Sequence, residues 1–221
     1  IFLISSCSNS HQDSFDLLFN AFKKWYVNYN PVLRPIKTIK YNQHGELQSF
    51  DHNDLEEYNE DLMKFKIELS QINKNKLSSN QYSNYLAIQQ YIEHSLLLYK
   101  YKKQYQTNPS MILNHIHNGL KFLIFSENVD IDLKTEYIIS RLEKTSTLLK
   151  QSKKLVNQIS NYEYNNLNEM INHLILTLQN IYLYISFDPN KIDYIDLLVK
   201  EIVNDLNIYS NNMKLKIKDN S

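Results

Sequence analysis

Hydrophobic residues recur at intervals of three and four positions along most of the chain, with polar residues between them. On an α-helix this spacing places the hydrophobic side chains on one face. Seven such stripes are present, at residues 15–29, 55–72, 82–99, 111–123, 138–159, 167–185 and 192–209. The pattern therefore predicts an all-α fold, a bundle of about seven mostly antiparallel amphipathic helices.

The stripes are separated by residues that are typical of helix ends. Asn30-Pro31 ends the first stripe and Asp188-Pro189 separates the last two, because proline disfavours helix at the residue before it and begins a new helix well. A serine at position 78 or 79 can cap the third helix.

Two segments stand out from this regular pattern. The fourth stripe is so rich in hydrophobic residues that we expect it to be buried on more than one side. Residues 31–51 show no clear helical period and contain two prolines, one glycine and His44. We predict that they form one ordered loop.

Charge and composition exclude several classes of function. The 24 basic residues balance the 24 acidic ones, so no basic surface field favours nucleic acid, and we predict no nucleic-acid partner. Gly45 and Gly119 are the only glycines, which excludes a glycine-rich phosphate loop. Cys7 is the only cysteine, so the fold depends on core packing and not on disulfides.

Cys7 also follows a short apolar run at the N-terminus. The sequence Ile4-Ser5-Ser6-Cys7 resembles the cleavage site of a bacterial lipoprotein signal peptide. In that interpretation the processed chain begins at Cys7, which carries the acyl chains that hold the protein on a membrane. The alternative is that Cys7 is a small buried hydrophobic residue.

The lipoprotein interpretation also divides the chain. We expect residues 1–6 to be the remnant of a signal peptide, residues 7–13 a solvated tether, and residues 14–221 a helical domain. No initiator methionine or basic segment precedes the apolar run, so we expect the sequence to begin inside the signal peptide and to be a fragment of a larger protein.

The histidines do not predict a metal site. None of the seven begins a His-Glu-x-x-His motif. His115 and His117 are the only close pair, and two residues apart on a helix they point to nearly opposite sides. We expect them to lie at the helix surface or to form hydrogen bonds between helices, and we predict no catalytic and no metal-binding residue in this chain.

Acidic and aromatic residues raise two further possibilities. Four acidic residues lie close together on the second predicted helix: Glu56, Glu57, Glu60 and Asp61. We interpret them as a solvated face. The third helix carries many tyrosines, which are Tyr82, Tyr85, Tyr91, Tyr99, Tyr101 and Tyr105. They could bind a peptide or a sugar, but about half of them fall on the core stripe.

The order of segments is similar to the N-terminal half of a bacterial family known as domain of unknown function 885. The resemblance spans about residues 14–210. It rests on the first helix ending in Asn30-Pro31, on Leu77-Ser78 before a long helix, on Asn108-Pro109-Ser110-Met111 through Gly119-Leu120, and on Arg141-Leu142-Glu143. Many members of this family resemble lipoproteins.

The resemblance implies a largely helical zinc-dependent hydrolase whose His-Glu-x-x-His helix and distant Glu lie in the C-terminal half. Those residues have no counterpart here, so zinc is expected only in that half. The leading hypothesis is that the chain is the non-catalytic front portion of a zinc-peptidase-like lipoprotein and forms one wall of a substrate cleft.

The implied partners are a membrane, through the lipid anchor, a peptide substrate and the protein's own C-terminal half. The implied location is the periplasmic side of the outer membrane, since Ser8 lacks the acidic character associated with retention in the inner membrane. The alternative is a complete helical lipoprotein that binds a ligand or partner without chemistry.

Overall fold

The computed structural model describes residues 6–30, 46–100, 106–127 and 129–218, with side chains from residue 13 onward. These residues contain seven α-helices: α1 Ser6–Tyr29, α2 His52–Ser70, α3 Ser79–Lys100, α4 Ser110–Ile124, α5 Ile131–Leu155, α6 Asn161–Gln179 and α7 Pro189–Lys214. Lys74–Lys76 and Ile181–Tyr184 are short 3-10 turns. The described residues form no sheet, only one isolated parallel bridge between Ile159 and Ile217, and the all-α prediction is confirmed.

The chain divides into two compact units. The N-terminal unit contains α1, α2 and α3, and the C-terminal unit contains residues 46–51 and the helices from α4 to α7. Each unit has its own packed helices, and each is described separately below.

In the N-terminal unit each of the three helices contacts the other two. The hydrophobic stripe of α1 supplies half of its buried core, which consists of Phe15, Leu18, Phe22, Trp25, Leu62, Leu69, Ile88 and Ile92. At the start of α3, Ser78 Oγ accepts a hydrogen bond from the Gln81 amide, and Gln81 Oε1 accepts one from the Ser78 amide. This reciprocal capping box satisfies backbone donors that the helix leaves unpaired, and it confirms the predicted serine cap.

In the C-terminal unit α4 contacts both α5 and α6, and α7 contacts the same two helices. The buried residues of α4 accordingly lie on more than one side, as its composition predicted: Ser110, Ile112, Leu113, Ile116, Gly119, Leu120, Leu123 and Ile124. On α5 the two small polar residues of the predicted stripe, Thr145 and Ser152, are fully buried.

Two predicted helices end earlier than their hydrophobic stripes. Val156 and Ile159 were expected in the fifth helix, but α5 ends at Leu155. Both residues are buried beyond the helix, and Ile159 instead exchanges backbone hydrogen bonds with Lys216 and Lys218. The spacing of hydrophobic residues does not reveal where this helix ends, because the side chains of Val156 and Ile159 are buried although neither residue is helical.

The sixth stripe is divided in a similar way. The predicted helix extended to Ile185, but α6 ends at Gln179 and Asn180 turns the chain into the 3-10 segment. The Asn180 side-chain amide donates to the Leu176 carbonyl at 2.8 Å. The same carbonyl also accepts a hydrogen bond from the Asn180 backbone amide at 3.2 Å, so one residue supplies two donors at the helix end.

The face that α3 buries also differs from the prediction. Tyr82 and Leu86 were placed on the core stripe, yet both are exposed, while Tyr91 packs against the core. The physical reason is that aromatic residues occur on both sides of this helix, so that apolar spacing alone does not identify the buried side.

The ends of two other predicted segments are only partly described. The sequence predicted a tether at residues 7–13, whereas the backbone of these residues belongs to helix α1. Residues 31–45 of the predicted loop lie outside the described residues. Residues 46–51 are not helical, and Leu47 and Phe50 are buried. Within the described part of the chain, no helix is both long and apolar enough to cross a membrane.

Candidate functional site

Arg141 lies at the centre of a polar group inside the C-terminal unit. Its side chain is 0% exposed on α5, within the core that α5 shares with α4. The guanidinium Nη1 donates a hydrogen bond to the carbonyl oxygen of Gly119 on α4. Because glycine has no Cβ, position 119 lets the bulky side chain approach the α4 backbone closely. The two helices are thereby joined by a charged hydrogen bond as well as by packing.

His115, one turn before Gly119, lies in the field of this buried cation. Burial and the nearby Arg141 charge lower the pKa of His115 to about 4. Its Nε2 accepts a hydrogen bond from the Gln48 amide at 3.1 Å, and its ring meets the Phe50 ring edge-on at 5.3 Å. His115 is therefore a neutral imidazole at pH 7, and as an acceptor it holds residues 46–51 against α4.

Burial lowers the pKa of Arg141 to about 10, although the Glu46 carboxylate opposes that shift. At neutral pH the guanidinium therefore remains charged. Glu46 also pairs with Lys144 on α5, with 2.6 Å between Oε1 and Nζ. Residues 46–51 and α4 therefore both interact with the guanidinium of Arg141 on α5.

Gln151 completes the attachment of residues 46–51. Its side-chain oxygen accepts a hydrogen bond from the Phe50 amide at 3.0 Å, and its Nε2 donates to Ser49 Oγ at 3.1 Å. We name Arg141, Gly119, His115, Glu46 and Gln151 the Arg141 centre. The Arg141 centre combines a buried cation with a neutral hydrogen-bond acceptor, His115. Together they hold the backbone at Gly119 and at Gln48 in place.

The prediction that a histidine of this pair forms a hydrogen bond between helices is confirmed for His117. His117 Nε2 is 2.9 Å from Thr177 Oγ1 on α6, which is a hydrogen bond between helices. Its pKa is lowered by burial, by Lys121 and by His173. Within the described residues, no three His, Cys, Asp or Glu side chains are grouped so that they could hold a metal ion.

The N-terminal unit contains an aromatic cluster at the adjoining ends of α1 and α2. Trp25 stacks on Tyr58 with ring centroids 5.3 Å apart, and Tyr29 meets both rings at 5.2 Å. The Tyr58 hydroxyl lies 2.7 Å from that of Tyr91 on α3. The third helix thus contributes Tyr91 to a packed cluster, not to an open binding surface.

Asp61 is the exception on the predicted solvated face of α2. Glu56, Glu57 and Glu60 are exposed as expected, but Asp61 is half-buried. Its carboxylate accepts a hydrogen bond from Trp25 Nε1 at 3.0 Å. Burial and the carboxylates of Asp61, Glu57 and Asp54 together raise the pKa of Tyr29 to about 12.

Of the sequence-predicted site residues, Cys7 lies in the backbone of α1 near its N-terminus. Its lipidation remains a prediction. Sequence reasoning missed the Arg141 centre, although two signals were present. Arg141 is three residues after Ile138 and so falls on the core stripe of α5, and Gly119 is a lone glycine inside a helix. A charge on a buried face and an isolated helix glycine together indicate close approach of a polar side chain.

Comparison with known proteins yields a likeness at the level of fold. Neither a protein-family model nor a curated protein matches the sequence. A solved structure from Shewanella oneidensis, a protein of unknown function that is proposed to be a lipoprotein, matches with a TM-score of 0.71 at 13% sequence identity. The match covers 91% of this chain and 37% of that protein. The chain therefore shares the helical fold of a part of a longer protein.

Proposed function

We propose that this chain is the helical, non-catalytic portion of a lipid-anchored envelope protein whose remaining part resembles a zinc-dependent hydrolase. The observation that carries the proposal is the structural match, because 91% of this chain corresponds to only 37% of a protein proposed to be a lipoprotein. A longer relative leaves room for a separate catalytic part. In this proposal the present helices form one wall of a cleft that receives a peptide.

The Arg141 centre joins two of the segments on which the proposed relation to the family domain of unknown function 885 rests. Two of the segments that carry the resemblance are residues 108–120 and Arg141-Leu142-Glu143. They lie on different helices, and the hydrogen bond from Arg141 to Gly119 joins them directly.

Exposed hydrophobic residues in the segments that follow α4 and α6 fit the role of a wall. Phe125 is 66% exposed, Leu183 75% and Phe187 94%. Phe125 and Leu183 border a cavity of about 280 Å³ beside α4 and α6. Large apolar side chains grouped at a surface are typical of a face that another part of the protein covers. We propose that the catalytic part covers this one.

The continuing reading frame separates this proposal from its alternative. We expect the genomic sequence beyond Ser221 to encode a His-Glu-x-x-His motif in the same frame. A stop codon directly after Ser221 would instead support a complete helical lipoprotein that binds a partner. Tyr82, which is 40% exposed, is the most exposed of the described tyrosines on α3, the helix that such a partner would contact.

The proposed anchor has its own test. Cells that express the protein with its native leader are grown with radiolabelled palmitate, and we expect label in the wild type and none in Cys7→Ser. Ser10→Ala, a change outside the proposed cleavage site, serves as the control and should remain labelled. Label that persists in Cys7→Ser would contradict lipidation at this residue.

A further inference from the structure

Residues 46–51 form a short non-helical segment that is attached to α4 and α5. Its buried side chains are Leu47 and Phe50, at 7% and 5% exposed. By contrast, α4 and α5 bury eight and ten of their own residues. A segment with few buried side chains opens at a lower free energy than the helices on which it packs. Residues 46–51 can therefore detach while these helices remain packed.

The bond between the Gln48 amide and His115 depends on the protonation state of the imidazole. The amide donates to His115 Nε2 at 3.1 Å, so this nitrogen carries a lone pair and the proton of the neutral ring is on Nδ1. Protonation places a hydrogen on Nε2 as well, and two donors then face each other. An imidazolium at position 115 is therefore incompatible with the attached segment.

The charges around His115 oppose its protonation while the segment is attached. The guanidinium of Arg141 on α5 acts directly on the imidazole. Glu46, on the segment itself, acts on Arg141 in turn and pairs with Lys144 of α5. On α6, His173 acts on a different histidine of α4. A proton on His115 thus adds a second cation beside a buried one, and contact with water relieves the repulsion.

Detachment of the segment returns the imidazole to water. Phe50 meets the His115 ring edge-on, with 5.3 Å between ring centroids, and Gln48 covers Nε2. A second attachment of the segment does not titrate, because the uncharged amide of Gln151 binds the Phe50 amide at 3.0 Å and Ser49 Oγ at 3.1 Å. His115 therefore couples the attachment of residues 46–51 to pH.

We propose that residues 46–51 are an acid-sensitive latch, which is attached to α4 while His115 is neutral and is released when this histidine binds a proton. Helices α4 to α7 remain packed in the open state. Opening uncovers the apolar surface beneath Leu47 and Phe50, and it moves the Glu46 carboxylate away from Arg141. The latch is a local conformational change, and it does not depend on the proposed relation to a hydrolase.

Amide hydrogen exchange followed by NMR measures the opening in the purified chain. The protection factor compares the exchange rate of an amide with its rate in an unstructured chain, which corrects for the effect of pH on exchange itself. The pKa of His115 is about 4 in the closed state and 6.5 as an ordinary histidine. We therefore expect protection of the Gln48 and Phe50 amides to fall about fiftyfold between pH 7 and pH 4.5.

Low concentrations of urea separate local opening from global unfolding, because urea promotes a transition in proportion to the surface that it exposes. The amides of Leu142 and Leu206 lie in the buried cores of α5 and α7. They should exchange through global unfolding and lose protection as urea is added. The Gln48 and Phe50 amides should begin with lower protection and change little.

Matched variants identify the titrating group. His115→Gln keeps an acceptor for the Gln48 amide but binds no proton in this range, so the fall in protection should disappear. Glu46→Gln removes a carboxylate of the latch and should retain the fall, as should His94→Gln at an exposed histidine of α3. The wild-type measurements in urea test the latch even if His115→Gln does not fold.

Four results would overturn the latch. A Gln48 amide without protection at pH 7 would show that the segment is not attached through His115. Protection that stays constant from pH 7 to pH 4.5 would show that acid does not release it. Protection equal to that of Leu142 and Leu206, with equal sensitivity to urea, would show release only by global unfolding. A fall retained in His115→Gln would assign the effect of pH to other groups.

Discussion

Arg141 joins α4 to α5 by a hydrogen bond as well as by packing. It is among the largest fully buried side chains of the described residues, and its guanidinium donates to the Gly119 carbonyl. Truncation of a large buried side chain leaves a cavity that the surrounding helices fill only partly. We therefore expect Arg141→Ala to lower the free energy of unfolding by about 3 kcal/mol.

Urea denaturation followed by circular dichroism measures this change. Lys150→Ala is the matched control, because it removes an exposed cation from the same helix. Exposed substitutions of this kind usually change stability by less than about 0.5 kcal/mol. Equal losses in the two variants would show that Arg141 has no special structural role.

His115 predicts a dependence of stability on pH. Its pKa is about 4 in the folded chain and 6.5 as an ordinary histidine, so the unfolded chain binds more protons between these values. The free energy of unfolding therefore falls as the pH decreases from 6.5 to 4. This loss amounts to about 3 kcal/mol at most, at about 1.4 kcal/mol for each pH unit.

His115→Gln keeps an acceptor for the Gln48 amide but does not titrate in this range. We expect the difference in unfolding free energy between the wild type and this variant to shift in favour of the variant as the pH falls. His94→Gln, a change at an exposed histidine of α3, controls for loss of any imidazole. A difference that stays constant from pH 7 to pH 4 would contradict the assignment of a neutral, buried His115.

At the scale of elements, the start of α3 is determined by local sequence. Ser78 and Gln81 satisfy each other's backbone amides in a capping box. Ser78→Ala removes the side-chain acceptor and should lower the free energy of unfolding by about 1 kcal/mol. Ser79→Ala, at the first residue of the helix, should change it little, and thermal unfolding compares the two. A smaller loss in Ser78→Ala than in Ser79→Ala would contradict the assigned cap.

The elements that the sequence predicted well are those whose cause is local. The 3-4 spacing of hydrophobic residues identified the seven α-helices named above for the described residues, and Asn30 and Asp188 lie at the expected boundaries of α1 and α7. The errors occur where distant contacts decide. Ile159 lies outside its predicted helix and pairs with Ile217, and the spacing of hydrophobic residues does not predict such a distant contact.

The candidate sites were harder to predict for the same reason. Arg141 and Gly119 are 22 residues apart and meet only because α4 packs on α5. Asp61 lay in an acidic group that is otherwise exposed, and it differs from the others in accepting a hydrogen bond from the distant Trp25. A single sequence shows that such residues have unusual positions in a pattern, but it does not show their partners.

At the scale of the whole molecule, the fold and the proposed function rest on different observations. The helical fold follows from the hydrophobic pattern and agrees with the TM-score of 0.71. The proposed role as one wall of a hydrolase depends on the fraction of the longer protein that is matched, 37%. It also requires that the catalytic metal be held by residues that this chain does not contain.

Native mass spectrometry of zinc content is the most direct test of that requirement. It is applied to this chain and to the protein encoded by the full reading frame, each purified and supplied with zinc, and peptide hydrolysis is assayed in parallel. We expect one zinc ion and hydrolysis in the full protein, and neither in this chain. Stoichiometric zinc together with peptide hydrolysis by this chain alone would contradict the account.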